Sequence, residues 1–172
     1  MQTHFQTPSD MNQGLLDSAF LLIASGGEVR KETLWDHLLK VALLGYVLDD
    51  SKIIATAAIK RPMDTYADSV FTKAMSDYDY NDFNHELGYV VIDPDFRNKR
   101  IASRLCEQLC ERFFHCSLYA TVRTNNPHML SILYRNGFTD SGNIFKGRVE
   151  TDCLKLLIRL KRSTIPATSS YF

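Results

Sequence analysis

Residues 86–102 carry the most informative chemistry in the chain. A near-continuous apolar run, residues 87–92, is closed by Asp93-Pro94-Asp95. A short basic segment follows, and a helical apolar period opens at Ile101. The apolar run suits a buried central strand. A helix opening presents unpaired N–H groups and the positive end of the helix dipole, so it attracts anions. Arg97, Lys99, Arg100 and Arg104 add positive charge at that place. The strand, turn and helix therefore read as a phosphate-binding turn. The segment lacks the glycines of the Walker and dinucleotide-binding patterns, so neither of those fits. The same residues also suit a solvated basic loop ahead of an ordinary helix.

The elements around this segment must position it. Residues 101–114 hold the clearest helix, with Ile101, Leu105, Leu109 and Phe113 on one face. Residues 117–122 follow as a second central strand. Pro127 suits the first turn of a short helix over 127–135. Asn136-Gly137 ends that helix, and Gly137 is free to take a positive φ as its cap. Residues 138–145 and 153–160 form a last strand pair. Upstream, residues 15–24 have a helical period that Ser25-Gly26-Gly27 stops. Residues 32–44 predict a second helix, with Leu34, Leu38, Val41 and Ala42 on one side. Residues 45–48 and 53–59 flank the polar turn Asp49-Asp50-Ser51-Lys52, an antiparallel hairpin pattern. The stretch 63–85 is rich in aspartate and tyrosine and predicts a partly helical excursion from the core. The order of helices, hairpin, strand, helix, strand, helix and two strands predicts an α/β fold with a mixed sheet. It forms one domain over residues 1–161, with a frayed tail over 162–172.

Composition narrows the function classes. The 172 residues suit one domain with a sizeable core. Lysine plus arginine, 20, equals aspartate plus glutamate, 20, so no global charge draws the chain to nucleic acid or to an anionic membrane. The first ten residues are polar and lack the pattern of a secretory signal. No apolar run is long enough to span a bilayer. A cytoplasmic location is expected. Cys106, Cys110, Cys116 and Cys153 show no zinc-knuckle spacing and are expected to be reduced thiols, with no metal site.

Three short motifs occur in order: Ile92-Asp93-Pro94, then Arg97-Asn98-Lys99-Arg100-Ile101-Ala102, then Asn126-Pro127-His128-Met129 through Gly137-Phe138. With them the chain resembles the GNAT superfamily of N-acetyltransferases. The corresponding family motifs are a Val-x-Pro-like strand end, Arg/Gln-x-x-Gly-x-Gly/Ala at a helix start, and Asn-x-x-hydrophobic followed by Gly-Phe. The agreement in element order runs over about residues 15–160. The resemblance implies a GNAT-like fold, a central mixed and largely antiparallel sheet flanked by helices, with acetyl-CoA as co-substrate. Backbone amides of Asn98, Lys99, Arg100, Ile101 and Ala102 would cradle the CoA pyrophosphate, with Arg97 beside them. Val91 and Ile92 would offer their backbone to the pantetheine arm as an added strand does. Asn126 would hold the cofactor side of the second strand, and the thioester would lie where the two central strands splay.

Two positions depart from the family pattern. Arg100 stands where the family has a glycine, which lets backbone approach a ligand closely. Either its amide and charge both serve the phosphate, or its side chain fills the site. The family's acid, a tyrosine seven residues after the motif asparagine, falls at Leu133. Tyr134 is next to it and is the candidate acid, although one helical residue is a turn of about 100°.

The implied reaction needs a base. An alkyl ammonium has a pKa near ~10, so it must lose a proton before it attacks a thioester. Glu86 is the candidate, since relatives carry a basic glutamate at the matching place. Alternation puts Glu86, Gly88 and Val90 on one strand face, and Gly88 is expected to leave room there for a substrate. An exposed carboxylate at a strand start is the alternative. His85 and His128 are the other candidate bases. The aspartates Asp64, Asp68, Asp77, Asp79 and Asp82, interleaved with tyrosines, would favour a cationic acceptor if they border the site. They equally suit a solvated acidic loop.

The expectation is an N-acetyltransferase acting on a primary amine of a small molecule or peptide. One alternative is a catalytically impaired GNAT-like module that binds CoA or a protein partner. Another is a toxin-like acetyltransferase of aminoacyl-tRNA, which the neutral charge disfavours. A homodimer through the last strand pair is a further expectation.

Overall fold

Gln2–Gln6 forms an edge strand, β1, and Asn12 opens the first helix by accepting a hydrogen bond from Leu15 N at 2.9 Å. That helix, α1, spans Gln13–Ser25, and α2 spans Lys31–Leu38. The strands β2 (Leu43–Asp49) and β3 (Lys52–Lys60) form the expected hairpin, turned by Asp50 at φ 52°. Then come α3 (Asp64–Ala74), β4 (His85–Ile92), α4 (Ile101–Arg112), β5 (Leu118–Arg123), α5 (Pro127–Arg135), β6 (Thr139–Lys146) and β7 (Cys153–Arg159). The computed structural model describes residues 1–27, 29–147 and 152–162, so most of the expected C-terminal tail lies outside the described residues.

The strands make one sheet in the order β1-β2-β3-β4-β5-β7-β6. Every neighbouring pair is antiparallel except β4 and β5, which run parallel. The sheet is therefore mixed and largely antiparallel, with helices on both faces, as the resemblance implies.

Alternation along the strands divides the core. On β5 and β7, Leu118, Ala120, Val122 and Leu157 pack with Leu105 and Leu109 of α4 and with Ile132 and Leu133 of α5. On the other face, Tyr119, Leu156 and Ile158 meet Val70, Phe71 and Ala74 of α3. A separate cluster joins Ile23 of α1 and Leu34 and Leu38 of α2 to Leu44, Tyr46 and Ile53.

Three expectations change. The first residues, read only as polar, form β1, which pairs with β2 from Gln2↔Leu48 to Gln6↔Leu44. The second helix stops at Leu38 rather than running to residue 44. Residues 43–49 are strand, because β1 and β3 both pair with them. The stretch 63–85 does not leave the core. Phe71 stacks edge-on against Tyr119 at 5.3 Å, so α3 is part of the layer over β5, β6 and β7.

Gly142 of β6 fixes how closely α3 can approach. Its φ is +69°, and an added Cβ would overlap the carbonyl oxygen of Ala74. Gly142→Ala combines backbone strain with a clash against backbone, and is expected to destabilise the protein by about 2 kcal/mol. Chemical denaturation of the variant measures it.

Candidate active site

The central strands separate because β4 carries a bulge. Thr56↔Val91 and Ala58↔Gly88 are paired, so Tyr89 and Val90 together face Ala57 alone. Tyr89 takes a φ of 52°, a strained value for a residue with a Cβ. Buried Thr56 fixes the bulge, its hydroxyl donating to the Tyr89 carbonyl at 2.9 Å. Between β4 and β5 the ladder holds only His85↔Leu118 and Glu86↔Tyr119. From Leu87 onward, the β5-facing edge of β4 has no strand partner among the described residues.

The opening is a cavity of about 410 Å³. Its walls include Gly88, Tyr89 and Val91 of β4, Thr121 and Val122 of β5, and Leu133 of α5. Gly27 and Val29, between α1 and α2, also line it, with Gly147 and Asp152 from the β6–β7 end.

Glu86 sits at the closed end, where the two strands are still paired. It is 3 % exposed, so it is no surface carboxylate. Its Oε2 accepts a hydrogen bond from Lys60 Nζ at 2.7 Å, and Oε1 lies 3.4 Å from Thr121 Oγ1. The Lys60 ammonium lies 5.0 Å from the Tyr89 ring centre and 5.8 Å from that of Tyr66. Burial and the Glu86 charge push the Tyr89 phenol up to about 12, so it stays protonated at neutral pH. Burial, and then Glu86, also raises the Tyr119 phenol, which is buried beside that carboxylate.

Gly88 does not leave free room as expected. A Cβ there would stand 2.9 Å from Lys60 Cδ, so the lysine stem lies over the glycine. Sequence reading missed Lys60, because only the register Lys60↔Glu86 brings it to the carboxylate.

The basic loop is built differently from the cavity wall. Asp93 accepts from Asp95 N at 3.1 Å and from Lys52 Nζ at 2.6 Å, and the Lys52 ammonium holds its carboxyl below the usual range. This fixes the strand end. Asn98 and Arg100 both adopt left-handed backbone, φ 63° and 58°. Arg100 is the N-cap of α4, and no side chain caps that helix. Among the described residues, no backbone carbonyl accepts from the N–H groups of Asn98 through Ser103. Arg97, Asn98, Lys99 and Arg100 are exposed, while Ile101 and Ala102 are half-buried.

The structure thus brings Glu86, Val91 and Asn126 to the cavity wall. Asn126 also caps α5, its Oδ1 accepting from Met129 N at 3.0 Å. Ile92 continues the open edge of β4 and is half-buried. Tyr134 is not brought there. It is 45 % exposed, and its hydroxyl donates to Asp140 at 2.7 Å, while buried Leu133 faces the cavity. His85, His128 and the aspartates of α3 and its flanks do not line it either. Tyr66 is the one residue of the 63–85 stretch that does.

The sequence model of the acetyltransferase (GNAT) family matches residues 16–138. The chain belongs to this family. Its GNAT fold is shared with ElaA of Escherichia coli at 11% identity, over 92% of this chain and 99% of that one, with a TM-score of 0.68. The ribosomal-protein-S18-alanine N-acetyltransferase of Escherichia coli is 13% identical, over 99% and 100%, with a TM-score of 0.67. A chimera of the spermidine N-acetyltransferase SpeG from Vibrio cholerae and hSSAT is 16% identical, over 94% and 97%, with a TM-score of 0.59. No curated protein matches the chain in sequence.

The GNAT motif glycine is Arg100, and this arginine nevertheless holds the left-handed conformation that glycine favours. Arg100→Gly relieves that strain and is expected to stabilise the fold by up to about 1 kcal/mol. Thermal melting reads the change.

Proposed function

We propose that the chain is an N-acetyltransferase that moves the acetyl group of acetyl-CoA to a primary amine of a small molecule or peptide. The observation that carries this reading is the divergence of β4 from β5 beside a buried carboxylate. It joins, in one strand, an open edge, a cavity and a proton acceptor.

The chain's residues suit acetyl-CoA. Unbonded amides from Asn98 to Ser103 and the exposed cations of Arg97, Lys99 and Arg100 offer a diphosphate both hydrogen bonds and charge. The open edge of β4 at Val91 and Ile92 can bond an extended amide chain. Asn126 braces the start of α5 beside that edge. The cavity walls of Leu133 and Val122 exclude water from the reacting end. When bound, acetyl-CoA supplies an activated thioester. Glu86 receives the proton that the acceptor amine must give up. Tyr134 faces Asp140 rather than the cavity, and Leu133 has no proton to give, so α5 presents no tyrosine acid there.

The acceptor is a primary amine, for which the cavity's charged groups are arranged as pairs. Glu86 is bound to Lys60, and Asp152 lies 3.2 Å from Arg123. The aspartates that would have favoured a polycation lie off the cavity. This arrangement favours an acceptor without several positive charges. Release of free thiol from acetyl-CoA, followed with a panel of amines, amino acids and peptides, tests the function. Turnover on at least one amine is expected. Failure across the panel by a protein that binds acetyl-CoA would favour the binding-module reading.

A further inference from the structure

We propose that Lys60 is itself an acetyl acceptor, modified by the enzyme's own cavity. This rests on the N-acetyltransferase reading. An acceptor amine has to lie beside Glu86 and face the open space between β4 and β5. Lys60 already puts an amine there. Its Nζ is 2.7 Å from Glu86 Oε2, between the rings of Tyr66 and Tyr89, and it is the one lysine on the cavity wall among the described residues. Gly88 is what lets the stem lie flat enough to reach this position, since any Cβ there would meet Lys60 Cδ.

The step needs no group beyond those named. Lys60 Nζ passes one proton along its existing hydrogen bond to Glu86. The freed nitrogen lone pair forms a bond to the acetyl carbonyl carbon, and the carbon–sulfur bond breaks. Sulfur leaves with that bonding pair and takes up the proton from Glu86, which then accepts the second proton from the acylated nitrogen and passes it to water. The products are N-acetyl-Lys60 and the free thiol of CoA. The lysine loses its charge and its ion pair, and its new acyl group fills the acceptor end of the cavity. Each chain can do this once, so the modification lowers later turnover.

The test is to incubate the intact chain with acetyl-CoA and no amine, and to map acetyl groups by peptide mass spectrometry over time. Calorimetry run on the same sample reports acetyl-CoA binding. Lys52, whose side chain is 68 % exposed against 21 % for Lys60, is the internal measure of uncatalysed acetylation. Lys60 is expected to acquire acetyl well ahead of Lys52, and Glu86→Gln is expected to slow Lys60 by about a hundredfold without affecting Lys52. Binding with Lys60 unmodified, or modified no faster than Lys52, or equally fast in Glu86→Gln, overturns the proposal and leaves the N-acetyltransferase reading intact. Absence of acetyl-CoA binding overturns both.

Discussion

Glu86→Gln is expected to lower kcat/KM for amine acetylation by about 10²- to 10⁴-fold, the range typical for loss of a general base. Glutamine keeps the shape of the side chain and can still accept from Lys60, but it cannot hold the proton of an ammonium. The dissociation constant for acetyl-CoA is expected to stay within about twofold, since Glu86 lies at the opposite end of β4 from the α4 amides. The defect should shrink as pH rises toward ~10, where more of a typical alkyl amine is already neutral in solution. A purely structural role for Glu86 would show no such recovery. Turnover within about threefold of wild type, in a variant that folds normally, would remove Glu86 from the reaction.

Lys60→Met is expected to destabilise the protein by about 3 kcal/mol at neutral pH. It leaves a carboxylate that is 3 % exposed without its counter-ion. Breaking a buried ion pair on one side typically costs about 3–5 kcal/mol, and the lower end applies because Lys60 is partly open to solvent. The remaining groups around the carboxylate are the hydroxyl of Thr121 and the phenols of Tyr89 and Tyr119, all neutral. None replaces the lost charge. The cost should fall in a Glu86→Gln background, giving a coupling of about 2 kcal/mol in the double-mutant cycle. Urea denaturation of the four proteins at neutral pH measures both effects. A deficit unchanged by Glu86→Gln would mean that Lys60 contributes only packing.

The strand, loop and helix of β4 and α4 were legible because three local signals agreed there: an apolar run, an Asp-Pro-Asp stop and a helical period. The hairpin turn at Asp50 and the cap at Gly137 were legible for the same reason, since a local backbone requirement chose the residues. What escaped depended on pairing. Gln2–Gln6 carries little apolar pattern and becomes a strand only because β2 offers an edge. Residues 43 and 44 look helical when read with Leu38 and Val41, and their strand partners decide otherwise. The helical spacing of Val70, Phe71 and Ala74 was legible, but the aspartates and tyrosines around it pointed to an excursion rather than to a face that the sheet covers.

The site divided in the same way. Glu86 and Asn126 could be placed from motif spacing, and Tyr134 was marked as displaced by the turn of a single helical residue. Lys60 could not be found. Its meeting with Glu86 depends on the β3–β4 register, and that register shifts at a bulge centred on Tyr89, a residue whose type gives no sign of a positive φ. Arg100 is the converse case. The sequence showed the loss of a glycine, while the backbone kept the glycine's conformation.

Calorimetric titration of acetyl-CoA into the purified chain, beside Arg97→Ala, decides whether the open edge of β4 and the α4 amides form a CoA site. Saturable binding with a stoichiometry of one per chain is expected, weakened in Arg97→Ala because a cation is lost beside the α4 amides. Absence of binding at millimolar acetyl-CoA would contradict it. The open edge of β4 and the unbonded amides of α4 would then belong to some ligand other than a CoA thioester.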